Sequence, residues 1–540
     1  MTRLVVETAN GKVAGARRGG VWVFNGMRYG ADTRGERRFK PPLPPTGWAG
    51  VREAVEVGPS CPPTLSAADS AYFPTSPLWR AYAGVDEAVR YSEDCLTLNI
   101  WTPGPGGDRR PVFVWLHGGG FSWGSGSSPL TAGDALAGRH DAVVLTVNHR
   151  LGILGYLHLS DLAGGDWDGS GVAGLLDLQL ALEWIRHNIS AFGGDPNKVT
   201  IAGHSGGAAK VACLLALPSA KGLFHRAVIQ SGPVLLRTVD RSEANNTAEQ
   251  VLASAGVHPG DARRLQEWPV AALTKLAAEH RFRPVAGTPW LPAHPFDPVA
   301  VETAAGIPLL IGTTTHDTAT FKFDSDPAFA TLTEPELRQR VAEHPAAGFA
   351  ERADEVIDAF ARKCPDTSSA ERLVAISSAR LRESTTLVAE RKLAGGDAPV
   401  FMYLFAYEVP MPPGTAFPGK LMAAHGFELP FVFDIADRIE LAGDRPDRIA
   451  LATLMSRYWM NFAREGTPNA PNAPHWPAYE VERRQNMVFD SRSKVENDPY
   501  ADERILLARL SDTCRQDGDH QLRGDQALAA TSRREDSRHE

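Results

Sequence analysis

The chain lacks two features that would place it across a membrane or on nucleic acid. Its 540 residues contain no run of about 18 apolar residues, the length that a membrane-spanning helix needs. Acidic residues outnumber basic ones, 64 against 56, and the formal net charge is −8. A sequence-independent grip on nucleic acid needs a basic face, which this balance argues against. We therefore expect no membrane span and no nucleic-acid partner.

An export signal is also missing, and cysteine is scarce. The first twenty residues have no apolar core of the length that a signal peptide needs, so the default expectation is a cytoplasmic protein. No CxxC pair occurs among the five cysteines, which argues against zinc-ribbon and thioredoxin-type sites. An odd number of cysteines without an export signal favours reduced thiols. Because the histidines form neither HExxH nor a tight cluster with cysteine, we expect no structural metal.

Apolar segments typical of strands alternate with amphipathic helical segments along most of the chain. PVFVWL (111–116), AVVLTVN (142–148) and KVTIAG (198–203) predict buried strands. Residues 172–189 carry leucine and isoleucine at helical spacing, and a second helix is expected over 206–217. The alternation predicts an α/β fold with a large, mostly parallel central sheet and helices on both of its faces.

The two ends of the chain differ from this pattern. Short strand-like pieces separated by glycine within the first hundred residues predict a small antiparallel edge. Residues 64–92 hold several aromatics but few strand or helix signals, as in a long loop that covers something or carries function. Residues 515–540 contain no aromatic, valine or isoleucine and are expected to be a disordered tail. Residues 1–514 are then expected to form one catalytic domain.

Two pentapeptides match G-x-S-x-G, centred on Ser122 and Ser205. A nucleophile elbow needs a strand before the serine and a helix after it, because the sharp turn lifts the hydroxyl clear of the sheet. Ser205 has the strand KVTIAG before it and a helical segment after it. Ser122 is followed by WGSGSSP, which cannot start a helix. The context favours Ser205 as the nucleophile and Ser122 as a loop residue.

Two further glycine motifs have different values. HGGGF (117–121) directly follows the strand PVFVWL, and consecutive glycines allow backbone N–H groups to approach a bound oxygen closely. Such a loop upstream of an elbow serine is typical of an oxyanion hole. G-x-G-x-x-G at 169–174 follows the turn-like DLAGGDWD instead of a strand, which argues against dinucleotide binding.

Taken together, these and other segments resemble the type-B carboxylesterases, the group that includes the cholinesterases. The resemblance covers about residues 4–490. It rests on FKPPLPPTGWAGV (39–51), GPSCPP (58–63), SEDCLTLNIW (92–101), HGGGF (117–121), NHRLGILGYL (148–157), GGDPNKVTIAGHSGG (193–207), FHRAVIQSG (224–232), HGFELPFVF (425–433) and FAREGTPN (462–469). It implies an α/β-hydrolase fold, a Ser–acid–His triad in that chain order and no cofactor.

The resemblance also implies the site residues. His425 in HGFELPFVF would be the catalytic base, the N–H groups of Gly119, Gly120 and Gly206 the oxyanion donors, and Ser231 a serine that supports the triad. Two positions depart from the family pattern. The elbow reads GHSGG where the family usually has GESAG, so His204 replaces an acid beside the nucleophile. Asp317 in GTTTHDT stands where the family usually has Glu.

The triad acid therefore has two candidates. Asp317 is accepted chemically, but its carboxylate reaches less far than that of Glu, so its loop must advance or the loop of His425 must lean in. His316 cannot replace it, because the orienting group must be negative to stabilise imidazolium. Glu428, three residues after His425, is the strongest rival, although it matches an acidic position that the family keeps beside its triad acid. Asp324 and Asp326 lie beyond the motif.

The remaining assignments concern the substrate pocket and the thiols. Trp79, Trp123, Phe321 and Phe427 predict an apolar gorge, unless they belong to the core. Cys61 and Cys95 occupy the two positions that are bridged in secreted relatives, so a disulfide could form between them. Without an export signal we expect neighbouring reduced thiols instead. Nothing in the sequence indicates an oligomer, and a monomer is expected.

The leading functional hypothesis is a serine hydrolase that cleaves small to medium apolar carboxylic esters through an acyl-enzyme. A non-catalytic homologue used for binding would typically lose the nucleophile or the histidine, and both are present. A third class keeps the site but performs acyl transfer or elimination on a specialised metabolite. Sequence alone does not separate this class from hydrolysis.

Overall fold

The central feature of the structure is one large β-sheet. A computed structural model describes residues 3–65, 90–106, 109–232, 238–320, 327–343, 349–363 and 365–509. Across these ranges 13 strands join in the sheet, and two further strands form a separate pair. The predicted tail, 515–540, lies outside the described residues.

The strands are β1 (Arg3–Thr8), β2 (Gly11–Arg18), β3 (Val21–Arg28), β4 (Val51–Glu53), β5 (Thr97–Thr102), β6 (Arg110–Leu116), β7 (Val143–Val147), β8 (Gly194–His204), β9 (Arg226–Gln230), β10 (Leu309–Thr314), β11 (Val400–Phe405), β12 (Val409–Pro410), β13 (Leu421–Met422), β14 (Gln485–Phe489) and β15 (Lys494–Asn497).

The α-helices are α1 (Asp134–His140), α2 (Gly152–Tyr156), α3 (Ser160–Ala163), α4 (Ala173–Asn188), α5 (Gly206–Leu215), α6 (Arg241–Ser254), α7 (Arg264–Glu267), α8 (Val270–Leu276), α9 (Glu302–Ala305), α10 (Glu334–Ala342), α11 (Phe349–Lys363), α12 (Ser369–Ala394), α13 (Leu429–Val432) and α14 (Arg448–Glu465).

The sheet changes from antiparallel to parallel along its width. Its order is β1-β2-β3-β5-β7-β6-β8-β9-β10-β11-β14-β15, with β4 beside β2. Neighbours from β1 to β7 along this path are antiparallel, those from β7 to β14 are parallel, and β15 returns antiparallel. The predicted fold class is confirmed, including the antiparallel N-terminal edge. Because parallel strands end at the same edge, the loops after β6, β8 and β10 emerge together.

The sheet is buried on both faces, as the unbroken apolar strands predict. Strand β6 shows the alternation: Val112, Val114 and Leu116 belong to one core cluster, and Phe113 and Trp115 belong to the other. Helices α4 and α5 cover the first face, and α12 and α14 cover the second. Fully buried strands of this kind leave function to the loops at their ends.

Two alternative motif interpretations are resolved by the local structure. Residues before Gly169 form a short 3-10 turn, 165–167, with no strand ahead of the glycines, so the dinucleotide motif is not formed. Ser122 lies in a turn, where its N–H bonds to the carbonyl of Gly119 and no helix follows. The two predicted helices are observed as α4 and α5, the latter ending at Leu215 before Pro218.

Candidate active site

Ser205 occupies a sharp turn between strand β8 and helix α5. Its backbone has φ 56° and ψ −119°, a left-handed φ that a residue other than glycine adopts at a cost of about 1–3 kcal/mol. The turn is held because the Ser205 N–H bonds to the carbonyl oxygen of Gln230, the last residue of the neighbouring β9, at 2.8 Å. The side chain remains partly exposed, as a nucleophile must be.

Glycines around Ser205 are required by close backbone contacts. A Cβ on Gly207 would lie 1.9 Å from the carbonyl oxygen of Leu116, and one on Gly206 would lie 2.3 Å from the backbone N of Gly120. Real Cβ atoms do not come so close to backbone atoms. Helix α5 therefore packs directly on the end of β6 and on the loop that follows it, with no space for a side chain.

The loop His117–Gly118–Gly119–Gly120–Phe121 lies beside Ser205. Gly119 and Gly120 have φ of 88° and 60°, in the left-handed region that favours glycine. A Cβ on Gly118 would lie 3.7 Å from the Cβ of Ser205. Among the described residues, no backbone or side-chain acceptor bonds to the N–H groups of Gly119, Gly120 and Gly206. These donors are thus available to a bound oxygen.

Asp317 and His425 meet although 108 positions separate them in the chain. Asp317 begins a 3-10 turn after β10, and its Oδ1 lies 2.6 Å from the Nδ1 of His425. The backbones of the two loops are joined as well: the His316 N–H bonds to the carbonyl of Ala423 at 2.9 Å. This link brings the loops together, which the shorter reach of Asp requires.

The second oxygen of Asp317 is held by several donors. Its Oδ2 accepts hydrogen bonds from the Ser231 Oγ at 2.6 Å, the Thr313 Oγ1 at 2.7 Å and the Thr314 N–H at 3.1 Å. Burial raises the pKa of the Asp317 carboxyl, but the charge and hydrogen bond of His425 and the hydroxyl donors outweigh it and hold the pKa well below its usual range. Asp317 is therefore ionised at neutral pH.

Glu428 does not bond to the ring Nδ1 that Asp317 occupies. Its side chain is fully buried, and its Oε1 accepts a hydrogen bond from the Gln230 amide at 3.3 Å. Burial and the negative charge of Asp317 raise the pKa of Glu428 to about 7. The two carboxyls thus differ: the orienting position belongs to Asp317, and Glu428 packs behind the site.

His204 connects Glu428 to the catalytic histidine position. Its Nε2 lies 3.8 Å from the Glu428 Oε1, and its ring centroid lies 4.2 Å from that of His425. Burial and the neighbouring His425 hold the pKa of His204 well below its ordinary value, so the imidazole is neutral. The residue that replaces the usual elbow acid therefore adds no charge at neutral pH.

The predicted pocket aromatics separate into three groups. Trp123 is partly exposed and packs on the glycine loop, since a Cβ on Gly119 would lie 2.6 Å from its ring. Phe427 is fully buried within the second core cluster, which corrects the prediction that it lines a gorge. Its fixed burial follows from the tight 425–433 segment, where neighbouring phenylalanines fill the same core. Trp79 and Phe321 lie outside the described residues.

Cys61 and Cys95 are buried neighbours and both are free thiols in the structure. A hydrogen bond with Cys61 and burial raise the pKa of the Cys95 thiol well above its usual value. The Leu151 N–H also donates to the Cys61 sulfur at 3.2 Å. Whether the pair stays reduced in the cell remains a prediction.

Sequence reasoning missed several residues that support the site. Thr313 and Thr314 hold Asp317, and their signal was the threonine run that precedes it. Gln230 links the elbow backbone to Glu428, and it precedes Ser231 in the IQSG segment. Lys210 is fully buried near the glycine loop, and its signal was one charge within the apolar segment GAAKVACLLAL.

Other kinds of site were also sought in the coordinates. Within the ranges that the structure describes, no three His, Cys, Asp or Glu side chains are grouped so as to hold a metal ion. None of the described helices combines the length and apolarity that a bilayer crossing requires.

Comparisons with known proteins agree with this geometry. A sequence model of the carboxylesterase family matches residues 2–505. The chain is 34% identical over 522 residues to the para-nitrobenzyl esterase of Bacillus subtilis (strain 168), covering 94% of this chain and 99% of that protein. It is 32% identical over 535 residues to the phenmedipham hydrolase of Pseudarthrobacter oxydans, covering 94% and 100%.

Solved structures show the same relationship. A carboxylesterase of Geobacillus stearothermophilus, solved at pH 6.2, superposes with a TM-score of 0.79 at 38% identity and covers 93% of this chain and 99% of that one. A para-nitrobenzyl esterase structure gives 0.76 at 34% identity, covering 94% and 99%. The match spans almost the whole described chain, which therefore belongs to the carboxylesterase family of α/β-hydrolases and is a serine hydrolase of carboxylic esters.

Proposed function

We propose that Ser205, His425 and Asp317 form the catalytic triad of this esterase. With its Nδ1 bonded to Asp317, the His425 ring leaves Nε2 to accept the Ser205 proton. Ser205 then attacks the ester carbonyl, and the imidazolium is stabilised by the ionised Asp317. The same proton passes to the departing alcohol, and water repeats the sequence to release the acid.

The oxyanion of each tetrahedral intermediate is proposed to bind the N–H groups of Gly119, Gly120 and Gly206. Support comes from the fit between the glycine loop and helix α5, where a Cβ on Gly206 would lie 2.3 Å from Gly120 N. Donors fixed by such packing need no rearrangement as charge develops, and each contributes roughly 10²–10³ in rate. No cofactor or metal takes part in these steps.

The observation that carries the proposal is the bond between Asp317 and His425 at 2.6 Å, with Ser205 on a strained elbow beside the ring of the residue before it. We further propose small to medium apolar esters as substrates. The partly exposed Trp123 beside the glycine loop supports an apolar wall, and relatives named para-nitrobenzyl esterase and phenmedipham hydrolase act on aromatic compounds by their names.

The two serine motifs provide a matched test of this proposal. Ser205→Ala is expected to lower kcat for p-nitrophenyl ester hydrolysis by roughly 10³–10⁶, with residual catalysis from the oxyanion donors. Ser122→Ala, in the other G-x-S-x-G segment, should keep the acyl-enzyme chemistry. Loss of activity in Ser122→Ala with full activity in Ser205→Ala would overturn the assignment.

Product analysis separates hydrolysis from acyl transfer at the same site. Reactions run with and without a competing alcohol are expected to release the free acid as the main product in water. Acyl transfer to the alcohol as the dominant product at low alcohol concentration would instead identify a transferase. A screen of acyl-chain length and alcohol size on alkyl esters then defines the preferred substrate.

A further inference from the structure

Lys210 is a buried lysine on the helix that begins at the nucleophile. It belongs to α5, the helix that starts at Gly206, and its side chain has 0% exposure. Lysine is rarely buried so completely, because its ammonium group loses its hydration. The contacts that the ammonium group makes are therefore the place to look for its role.

The ammonium group of Lys210 contacts both ends of the glycine loop. Its Nζ donates a hydrogen bond to the carbonyl oxygen of His117 at 3.0 Å. The same Nζ lies 6.0 Å from the ring centroid of Phe121, within range of a cation–π interaction. His117 and Phe121 are the first and last residues of HGGGF, so one charged group holds the two ends of the segment that carries Gly119 and Gly120.

Lys210 also joins this loop to the other donor. Gly206, whose N–H completes the proposed oxyanion hole, is the first residue of the same helix. The loop and the helix touch directly, because a Cβ on Gly206 would meet Gly120 at 2.3 Å. A tie between Lys210 and His117 one turn further along therefore fixes the relative position of both sources of N–H groups.

The surrounding imidazoles show that the charge of Lys210 acts at the loop. His117 and His149 are stacked with ring centroids 4.7 Å apart. Burial, and next the charge of Lys210, hold the pKa of both imidazoles well below the ordinary value. Both rings are thus neutral, and the positive charge of the cluster resides on Lys210, on the side of the loop opposite to solvent. A positive charge there favours an oxyanion at the helix N-terminus.

We propose that Lys210 is a positioning residue of the oxyanion hole, which holds the 117–121 loop against helix α5 so that the three N–H groups converge. The inference rests on the proposed function, because it takes Gly119, Gly120 and Gly206 as the donors. It adds a residue that does not touch the substrate and acts through the loop.

Lys210→Met tests the proposal, because methionine fills similar space without the charge or the donor. A matched control exists in Lys392→Met. Lys392 also has 0% exposure and donates from Nζ to a backbone carbonyl, that of Ala305, at 3.0 Å. Ala305 precedes β10, whereas Asp317 follows it, so the six residues of that strand, about 20 Å, separate the control from the site.

Kinetics are measured per active serine, titrated with a fluorophosphonate, so that incompletely folded material does not count. Lys210→Met is expected to lower kcat about 10- to 100-fold with KM within about threefold, a loss smaller than that of an oxyanion donor itself. The inhibition constant of a trifluoromethyl ketone, which forms a tetrahedral adduct, should rise by the same factor as kcat/KM falls. Lys392→Met should leave all three values within about twofold.

A merely structural role would lower the amount of folded protein but leave kcat per titrated serine unchanged. Such a result overturns the inference. If Lys210→Met does not fold, Lys210→Gln replaces it with the same expectation, since its shorter neutral amide cannot restore the charge. The proposed function fails separately, when the wild-type adduct maps away from Ser205. An adduct on Ser205 with unchanged kcat in the Lys210 variants refutes the present inference alone.

Discussion

The two halves of the active site are built by different means. The nucleophile half, formed by the glycine loop and the Ser205 elbow, is held by backbone atoms in contact, with Gly206 and Gly207 at distances that admit no side chain. The other half, formed by Asp317 and His425, is held by side-chain hydrogen bonds between loops 108 positions apart. One half is rigid through packing, and the other through a network of donors and acceptors.

This difference teaches where each half is vulnerable. A backbone contact has no substitute, since any added atom must displace the chain. A hydrogen-bond network shares its task, since Asp317 Oδ2 accepts bonds from Ser231, Thr313 and Thr314. Removing the shared acceptor should be severe, whereas removing one of its donors should be mild.

The largest expected effect is the loss of that acceptor. Asp317→Asn should lower kcat by about 10³–10⁴ in a folded protein, because the imidazolium loses its negative partner and its tautomer is no longer held. Assays near pH 7 alongside Glu428→Gln, the isosteric change in the rival carboxyl, make the comparison. An Asp317→Asn enzyme with more than a tenth of the activity, beside an inactive but folded Glu428→Gln enzyme, would reverse the two assignments.

The next effect tests the backbone half. Gly207→Ala should destabilise the protein by about 3 kcal/mol, because its Cβ would lie 1.9 Å from the carbonyl oxygen of Leu116. Gly306→Ala is the control, since nothing lies within 4 Å of its Cβ and its φ is ordinary. Chemical denaturation of both variants measures the difference. Equal stabilities would show that the elbow can relax and that packing does not hold this half.

A smaller effect concerns the pH dependence of stability. Because the pKa of Glu428 is raised to about 7 in the folded chain, the wild type holds an extra proton between about pH 4.5 and 7 and loses stability as the pH rises through that range. Glu428→Gln lacks this loss, so its stability relative to wild type should increase by up to about 3 kcal/mol between pH 5 and pH 8. Urea denaturation at both pH values checks it, and a constant difference between the two proteins contradicts it.

The smallest effect is expected from single donors to Asp317. Ser231→Ala and Thr313→Val should each lower kcat about tenfold or less, because each removes one hydrogen bond to a charged group while others remain. The double variant should lose more than the product of the two single losses, since the remaining donors no longer compensate. A single variant as impaired as Asp317→Asn would show that the network is not shared.

The same division explains what the sequence could predict. Strand β6 and helix α4 were found within a residue or two, because local apolar spacing specifies them. The Ser205 elbow is equally local, since strand, glycines and helix adjoin in the chain. The pairing of Asp317 with His425 came from family resemblance, because no local pattern records a contact across 108 positions. The burial of Phe427 and Lys210 depends on tertiary packing and escaped the sequence for the same reason.

The most direct measurement of the central claim is the location of a covalent adduct. Wild-type protein is labelled with a fluorophosphonate, digested, and mapped by mass spectrometry. The account predicts one adduct per chain, on Ser205, with labelling greatly slowed by Asp317→Asn because the hydroxyl loses its oriented base. An adduct on Ser122, or one on Ser205 that forms equally fast without the Asp317 carboxylate, would contradict it.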